Sequence, residues 1–373
     1  MNFFLRWLEA QGSLITTQPL SRPVAGMQDA YVQTEGLRKL GWRVVRRKLY
    51  LLFNQQFKSY REHIDPQWRR GLWIYLRTAQ IGDSLMDLSA RSFFSKKNCT
   101  IDLWTSDQLA NLYSEDDWFH TVTSNGDDVI NQSYDFVVVQ SMHHSAVNLK
   151  IKHFKPLPWI CMQGYYDVPD FDRAPWGAQR LSDLYGDSDA SATKWHGQQK
   201  LATRHLVDVK QKWRVTIVLG GMDPVRTFEK WHQVVSELVS SMGLELTLVG
   251  TGKAAQSQSN LIQAMGFGSA VNNLVDQIDL QKLIRVISES KLLLVADGGA
   301  MHMGVALEVP QMVTLFIKGI PPFLRIPEAY RALSITSQTG LINDISTKDV
   351  LLKVKLALDE LRVNFPECAR HAP

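Results

Sequence analysis

Short apolar runs of strand length recur along the chain in two series separated by a polar stretch. In the first series, residues 72–77, 101–104, 136–140 and 159–162 alternate with mixed segments, and a helix is expected over 85–94. In the second, strands are expected at 215–219, 244–249, 292–295 and 311–316. Between the first two of these, Trp231, Val234, Val235, Leu238, Val239 and Met242 follow an i, i+3, i+4, i+7, i+8, i+11 stripe, one apolar helix face, and Gly243 stands where a helix stop belongs. Asp279 is placed to cap a helix carrying Leu280, Leu283, Ile284 and Ile287. A last helix at about 347–361 shows Val350, Leu351, Val354, Leu358 and Leu361 on one side. Strands that alternate with helices make mostly parallel sheets covered on both faces.

The stretch 164–212 is rich in Asp, Ser, Gly and Gln, and reads as an interdomain segment with some helix near its end. The expected domains are an N-terminal extension at 1–70, partly helical, basic and aromatic; an α/β domain with linker at 71–205; a second α/β domain at 206–345; and a helix and tail at 346–373. At 373 residues, two domains are the natural division.

Composition narrows the class. With 45% hydrophobic and 21% charged residues, wholesale disorder is excluded. No window approaches the roughly 18 consecutive apolar residues that span a bilayer. Arg6 and Glu9 interrupt the apolar start, so a signal peptide is not expected. Cys99, Cys161 and Cys368 are odd in number and far apart, giving neither a disulfide framework nor metal-ligand spacing; a reducing, cytoplasmic setting follows. The net charge of +4 is too small to imply nucleic acid. Its distribution says more. Arg38, Lys39, Arg43, Arg46, Arg47 and Lys48 interleave with Leu37, Leu40, Trp42, Val44 and Val45, and Tyr50 to Phe53 follow. Such a run suits either a packed helix with a solvated basic face, the commoner outcome, or a helix resting on an anionic membrane.

Candidate chemistry centres on Asp297-Gly298-Gly299-Ala300-Met301-His302, which sits between two apolar runs and reads as strand, glycine turn, helix. Free N–H groups and the macrodipole at such a helix start favour a phosphate. Ligands of doubly wound domains bind beyond the carboxyl ends of the strands. That rule gathers the loops at 79–83, 220–223, 250–253 and 297–302 around one interdomain cleft.

Two of these loops resemble the signatures of glycosyltransferase family nine, the lipopolysaccharide heptosyltransferases. The run Ile74-Tyr75-Leu76-Arg77-Thr78-Ala79-Gln80-Ile81-Gly82-Asp83-Ser84-Leu85 is similar to the family's opening strand, arginine and Ile-Gly-Asp turn. The run 294–310, from Leu-Val-Ala-Asp through Met301-His302 to Val309-Pro310, is similar to its second signature. The resemblance covers about 72–362. It implies a GT-B fold, two facing Rossmann-like domains with an interdomain cleft. It also implies inverting, metal-independent transfer of a heptose-like sugar from a nucleotide diphosphate sugar to a lipopolysaccharide or lipooligosaccharide core or related glycan. The cofactor expectation is none, with ADP-heptose the family-type donor. The expected partners are that donor, a glycolipid or glycan acceptor and an anionic membrane surface in peripheral contact, at the cytoplasmic face of the inner membrane; no nucleic acid is expected.

The resemblance assigns Asp83 as the base; without it, Asp83 reads as the cap of the following helix. Backbone N–H groups of Gly299, Ala300 and Met301 form the expected diphosphate cradle, Gly298 permits the turn, Asp297 fixes the turn or bonds a hydroxyl, and His302 is either a donor contact or structural. The family's lysine pattern before the first helix of the second domain is not preserved, leaving Arg226, whose planar fork suits a diphosphate, and Lys230 as alternatives. After the strand at 244–249 the family's glutamate is missing from Gly250-Thr251-Gly252-Lys253-Ala254-Ala255-Gln256, so Thr251 or Gln256 is left to meet the nucleoside, and adenine and heptose do not follow automatically. On the acceptor side stand Gly82 and the pair His143 and His144, the latter with core or helix-start duty as the simpler reading. The cluster Glu115-Asp116-Asp117 reads as a solvated turn, and Trp159 and Trp176 as core or interdomain filler. The competing functions are a nucleotide-sugar epimerase on the same fold and a catalytically silent sugar-nucleotide-binding protein.

Overall fold

The computed structural model describes residues 36–76, 80–141, 144–163, 173–186, 201, 213–221 and 223–365, apart from the side chains of Leu37, Leu40, Val44 and His144. The chain divides into two units: residues 1–80 with 86–198, and residues 81–85 with 199–373.

In the first unit, helix α1 (Leu37–Phe53) and a 3-10 turn (Gln56–Lys58) precede strand β1 (Arg70–Tyr75). Then come, in chain order, α2 (Ile81–Asp87), whose residues 81–85 belong to the second unit, α3 (Ser92–Lys96), β2 (Thr100–Thr105), α4 (Asp107–Tyr113), β3 (Val122–Thr123), α5 (Asp127–Ile130), β4 (Phe136–Val139), α6 (His144–Phe154), β5 (Trp159–Cys161) and α7 (Arg173–Leu184). The five strands are all parallel in the order β3-β2-β1-β4-β5. β1, β2 and β4 are buried almost throughout, as the near-continuous apolar runs require of a sheet covered on both faces.

Two details differ from the sequence reading. The helix expected at 85–94 is two short helices, α2 and α3, because the chain turns at 88–91 and Arg91 dives inward. Its guanidinium, wholly buried, forks onto Asp116 (Nε–Oδ1 3.0 Å, Nη2–Oδ2 2.5 Å), donates to Leu88 O and lies over the rings of Tyr113 and Trp118. Asp116 is therefore a buried ion-pair partner and not part of a solvated turn. The polar stretch also carries a helix near its beginning, α7, where Trp176 is buried and donates Nε1–H to Met162 O, while the end of the stretch, where a helix was expected, lies outside the described residues. Trp159 is a core residue of this unit.

Lys150 of α6 is fully buried. Its ammonium donates to Gln56 Oε1 (2.5 Å), Lys155 O (3.0 Å) and Ser59 Oγ (3.3 Å), pinning the turn that follows α1. Burial pushes its pKa down from 10.5 to about 7.

The second unit contains β6 (Val215–Val218), a 3-10 turn (Pro224–Arg226), α8 (Trp231–Ser240), β7 (Leu246–Val249), α9 (Gly252–Ala264), β8 (Val271–Asn273), α10 (Leu280–Ser288), β9 (Leu292–Ala296), α11 (Gly299–Ala306), β10 (Gln311–Phe316), β11 (Ser334–Thr336) and α12 (Thr347–Asn364). Its six parallel strands run β11-β10-β9-β6-β7-β8. The apolar stripe predicted for α8 buries Trp231, Val234, Val235 and Leu238 against the sheet. Val350, Val354, Ala357, Leu358 and Leu361 of α12 join the same core. Asp279 caps α10, its Oδ1 accepting from Lys282 N–H at 2.8 Å. Among the described residues no helix is long and apolar enough to cross a membrane.

Candidate active site

Strand order locates the ligand crevice of the second unit. The chain winds outward from β6 in one direction through β7 and β8, and from β9 in the other through β10 and β11. The switch point is therefore between β6 and β9, and ligands of such sheets sit beyond the carboxyl ends of the strands there.

The segment after β6 is built to aim one cation. Asp223 caps the 3-10 turn, its Oδ1 accepting from Val225 N–H (3.1 Å), while Thr227 Oγ1 donates to Asp223 O (3.1 Å). Arg226, a third exposed, is carried by this turn to Asp297 at the end of β9, with Nη1 3.3 Å from Oδ2. Asp297 is almost completely buried, and its N–H donates to Leu315 O as an extension of the β9–β10 ladder. The Asp297 carboxylate is thereby paired with a guanidinium whose Nε also lies 3.9 Å from Asp223 Oδ2. Lys230 goes elsewhere: it stands at the N-cap of α8 and donates Nζ–H to Ile345 O at 3.2 Å. Of the two cations, Arg226 is the one beside the glycine turn.

Helix α11 begins directly after Asp297. Its N-cap, Gly298, offers no side chain, and its first turn carries no acid, so the N–H groups of Gly299, Ala300 and Met301 lack the usual capping carboxylate or hydroxyl. One expectation needs correction. Gly298 has extended backbone (φ 167°), and a Cβ added there meets nothing closer than 3.9 Å, so the turn does not demand glycine; the position is open space above the helix start. Met301 and His302 are buried.

The segment Ile81–Leu85 belongs by its contacts to this second unit. A Cβ on Gly82 would lie 2.6 Å from His302 Cδ2, and one on Gly299 would lie 3.4 Å from Ile81 Cβ. The absent side chain of Gly82 lets the peptide and the start of α11 touch, while Gly299 meets Ile81 at ordinary contact distance. Asp83 is the third residue of α2, half-buried, with Ser84 Oγ donating to Ile81 O (2.9 Å). Because α2 starts at Ile81, Asp83 lies within the first turn and is not the cap. His302 forms the wall behind Gly82.

At the end of β7 the chain turns through Gly250, Thr251 and Gly252. This turn packs on the one after β6: a Cβ on Gly250 would be 2.4 Å from Leu219 O, and one on Gly220 would be 2.8 Å from Ala255 N. Thr251 is the N-cap of α9 without a side-chain cap bond. The cap comes instead from Asp276, whose Oδ1 accepts from Gly252 N–H (2.9 Å) while its own N–H donates to Gly250 O (3.0 Å). The sequence reading found no acid in 250–256. An exposed carboxylate is nevertheless there, delivered from beyond β8 by the β7–β8 pairing of Leu246 with Val271 and Leu248 with Asn273. The two helix starts thus differ: α9 is already occupied by a carboxylate, and α11 is not.

His143 and the side chain of His144, expected on the acceptor side, lie outside the described residues, as do Arg77, Thr78 and Ala79; α6 begins at His144. No group of three or more His, Cys, Asp or Glu side chains is arranged to hold a metal ion among the described residues.

Residues 184–354 match the family described as glycosyltransferase family 9 (heptosyltransferase). Among solved structures the chain is similar to an E. coli heptosyltransferase, WaaC, determined with ADP, at 14% identity and a TM-score of 0.58, over 78% of this chain and 98% of that one. It is similar to an E. coli ADP-heptose lipopolysaccharide heptosyltransferase II at 15% identity and 0.58, over 78% and 99%. A glycosyltransferase family 9 protein from Veillonella parvula aligns at 14% identity and 0.60, over 80% and 100%. At these identities the likeness is one of fold, two units each with a parallel Rossmann-like sheet, as in GT-B heptosyltransferases. No curated protein matches the chain significantly.

Proposed function

Since residues 184–354 carry a glycosyltransferase family 9 domain, we propose that this glycosyltransferase moves a heptose-like sugar from a nucleotide diphosphate sugar to a glycan acceptor, by a single inverting displacement that requires no metal. The observation that carries the reading is the convergence of three things on one end of the second sheet: the uncapped start of α11, Arg226 beside Asp297, and the Ile81–Leu85 peptide bearing Asp83.

In this mechanism the diphosphate lies against the N–H groups of Gly299, Ala300 and Met301, with Arg226 beside it. Asp83 takes the proton of an acceptor hydroxyl. The hydroxyl oxygen forms the new bond to the anomeric carbon, and the electron pair of the breaking carbon–oxygen bond leaves with the diphosphate. Asp276 serves the ribose hydroxyls, because a carboxylate at the end of the second strand of such a domain accepts hydrogen bonds from ribose and repels phosphate. An ADP-linked sugar is the first donor to test, because ADP accompanies one of the similar structures. A lipooligosaccharide core is the proposed acceptor, and the cytoplasmic face of the inner membrane the proposed site of action.

The test is a thermal-shift panel of ADP, UDP, GDP and CDP, followed by turnover of the matching sugar nucleotide with and without acceptor. Asp83→Asn is expected to keep nucleotide binding and to lower turnover by about 10²–10⁴-fold. Equal turnover by the variant would overturn the assignment of the base. Turnover without acceptor would point to an epimerase, and nucleotide binding without any turnover to a silent binding protein.

A further inference from the structure

Helix α1 carries large apolar side chains on its outward face. Among its described side chains the large apolar residue it commits to the first unit's core is Leu51, with Tyr50 reaching Asn148 through its hydroxyl. Trp42, Leu49, Leu52 and Phe53 are all exposed, at 61%, 41%, 58% and 79%. At about 100° per residue, Leu49 and Phe53 fall about 20° to either side of Trp42, whereas Leu51 is on the opposite face. Arg38 and Arg46 are exposed about 40° to either side of the same line. The helix holds six basic residues (Arg38, Lys39, Arg43, Arg46, Arg47, Lys48) and no acid. Phe57, in the turn that follows, is exposed as well. The helix is packed on one side, and its outward face is an apolar line flanked by cations.

We propose that the outward face of α1 is a membrane-docking surface that lies in the headgroup region of an anionic phospholipid bilayer. Trp42, Leu49 and Phe53 enter the acyl boundary, and Arg38 and Arg46 meet lipid phosphates on either side. Charge complementarity selects this occupant. A second copy of the chain brings the same basic face and repels it, while an anionic bilayer offers both the negative charge and the apolar phase that the line of side chains requires. The helix is fixed to the fold at its other face by Leu51 and by the turn that Lys150 holds. The docking extends the glycolipid-acceptor reading, and it is measured without donor or acceptor, so either can fail alone.

The experiment is co-sedimentation of the full chain with vesicles of phosphatidylcholine alone and of phosphatidylcholine with phosphatidylglycerol. It compares wild type, the triple variant Trp42→Ser, Leu49→Ser, Phe53→Ser, and the pair Arg38→Glu, Arg46→Glu. All five side chains are exposed, and unchanged thermal unfolding checks the fold. Wild type is expected on the phosphatidylglycerol vesicles only, weakening with salt, and each variant is expected to lose about tenfold or more in partitioning. Absence of wild-type binding, or variants that bind as wild type does, would overturn the proposal. So would a wild-type dimer in light scattering that the triple variant turns into a monomer, since a second copy would then be the occupant.

Discussion

Replacing Gly82 by alanine sets a methyl group 2.6 Å from His302 Cδ2, 3.4 Å from Nε2 and 3.5 Å from Cγ. Ordinary carbon contacts begin near 3.5 Å, so relief needs about 0.9 Å of movement. The imidazole has little room to give it, because His302 is buried in α11 with its backbone N–H bonded to Gly298 O. Overpacking of this kind costs about 1–3 kcal/mol, and the rigid ring places this site near 2 kcal/mol. For a unit of this size that is a melting shift of about 4–8 °C. The alternative response is release of the Ile81–Leu85 peptide from α11, which moves Asp83 and lowers turnover even where stability is retained. The assay is therefore a double-mutant cycle of Gly82→Ala and His302→Ala, read by thermal unfolding and by turnover. Removing the ring opens the space, so the double variant is expected to recover about 1–2 kcal/mol of the single variant's loss. If Gly82→Ala melts and turns over like wild type, or if the coupling is zero, the contact between this peptide and α11 is not what holds them together.

Three further outcomes follow from features already described. Arg226→Lys, which keeps the charge and loses the fork, is expected to raise donor KM and lower kcat/KM by about tenfold or more, measured by steady-state kinetics. Asp116→Ala leaves the Arg91 guanidinium buried without its carboxylate and should cost about 3–5 kcal/mol in urea unfolding. Lys150 has a folded pKa of about 7 against 10.5 unfolded, so between these values the unfolded chain binds the extra proton and stability rises with pH. Its contribution is at most about 1.4 kcal/mol per pH unit, and Lys150→Met is expected to flatten the rise between pH 7 and 10.

Elements whose burial is one-sided or complete were legible in the sequence. The α8 stripe and the runs of β1, β4, β6 and β9 each present a period or a block that only one local structure buries. The short strands β3, β8 and β11 carried no such signal, because they are two or three residues long and partly exposed. Within the candidate site, the contiguous stretch 297–302 forms the strand end, turn and helix start that its local pattern predicts. Asp276 was missed because its place beside Gly252 depends on the pairing of β7 with β8, a relation that no local pattern encodes. Asp116 was misread for the same reason: beside Glu115 and Asp117 it reads as solvent-facing, and only Arg91, 25 residues earlier, turns it inward.

The Ile81–Leu85 peptide has a further consequence, for the order in which the molecule is made. It leaves the ribosome more than a hundred residues before β6, yet its partners are Gly299 and His302, more than two hundred residues downstream. Closing so long a loop costs entropy that local contacts cannot return, which makes this contact slow to form. Any fragment that begins at residue 199 lacks the peptide altogether and leaves the face of α11 that receives it bare. The second unit is thus finished by chain synthesised with the first, and in this fold the seating of the Ile81–Leu85 peptide on α11 is itself a late folding event.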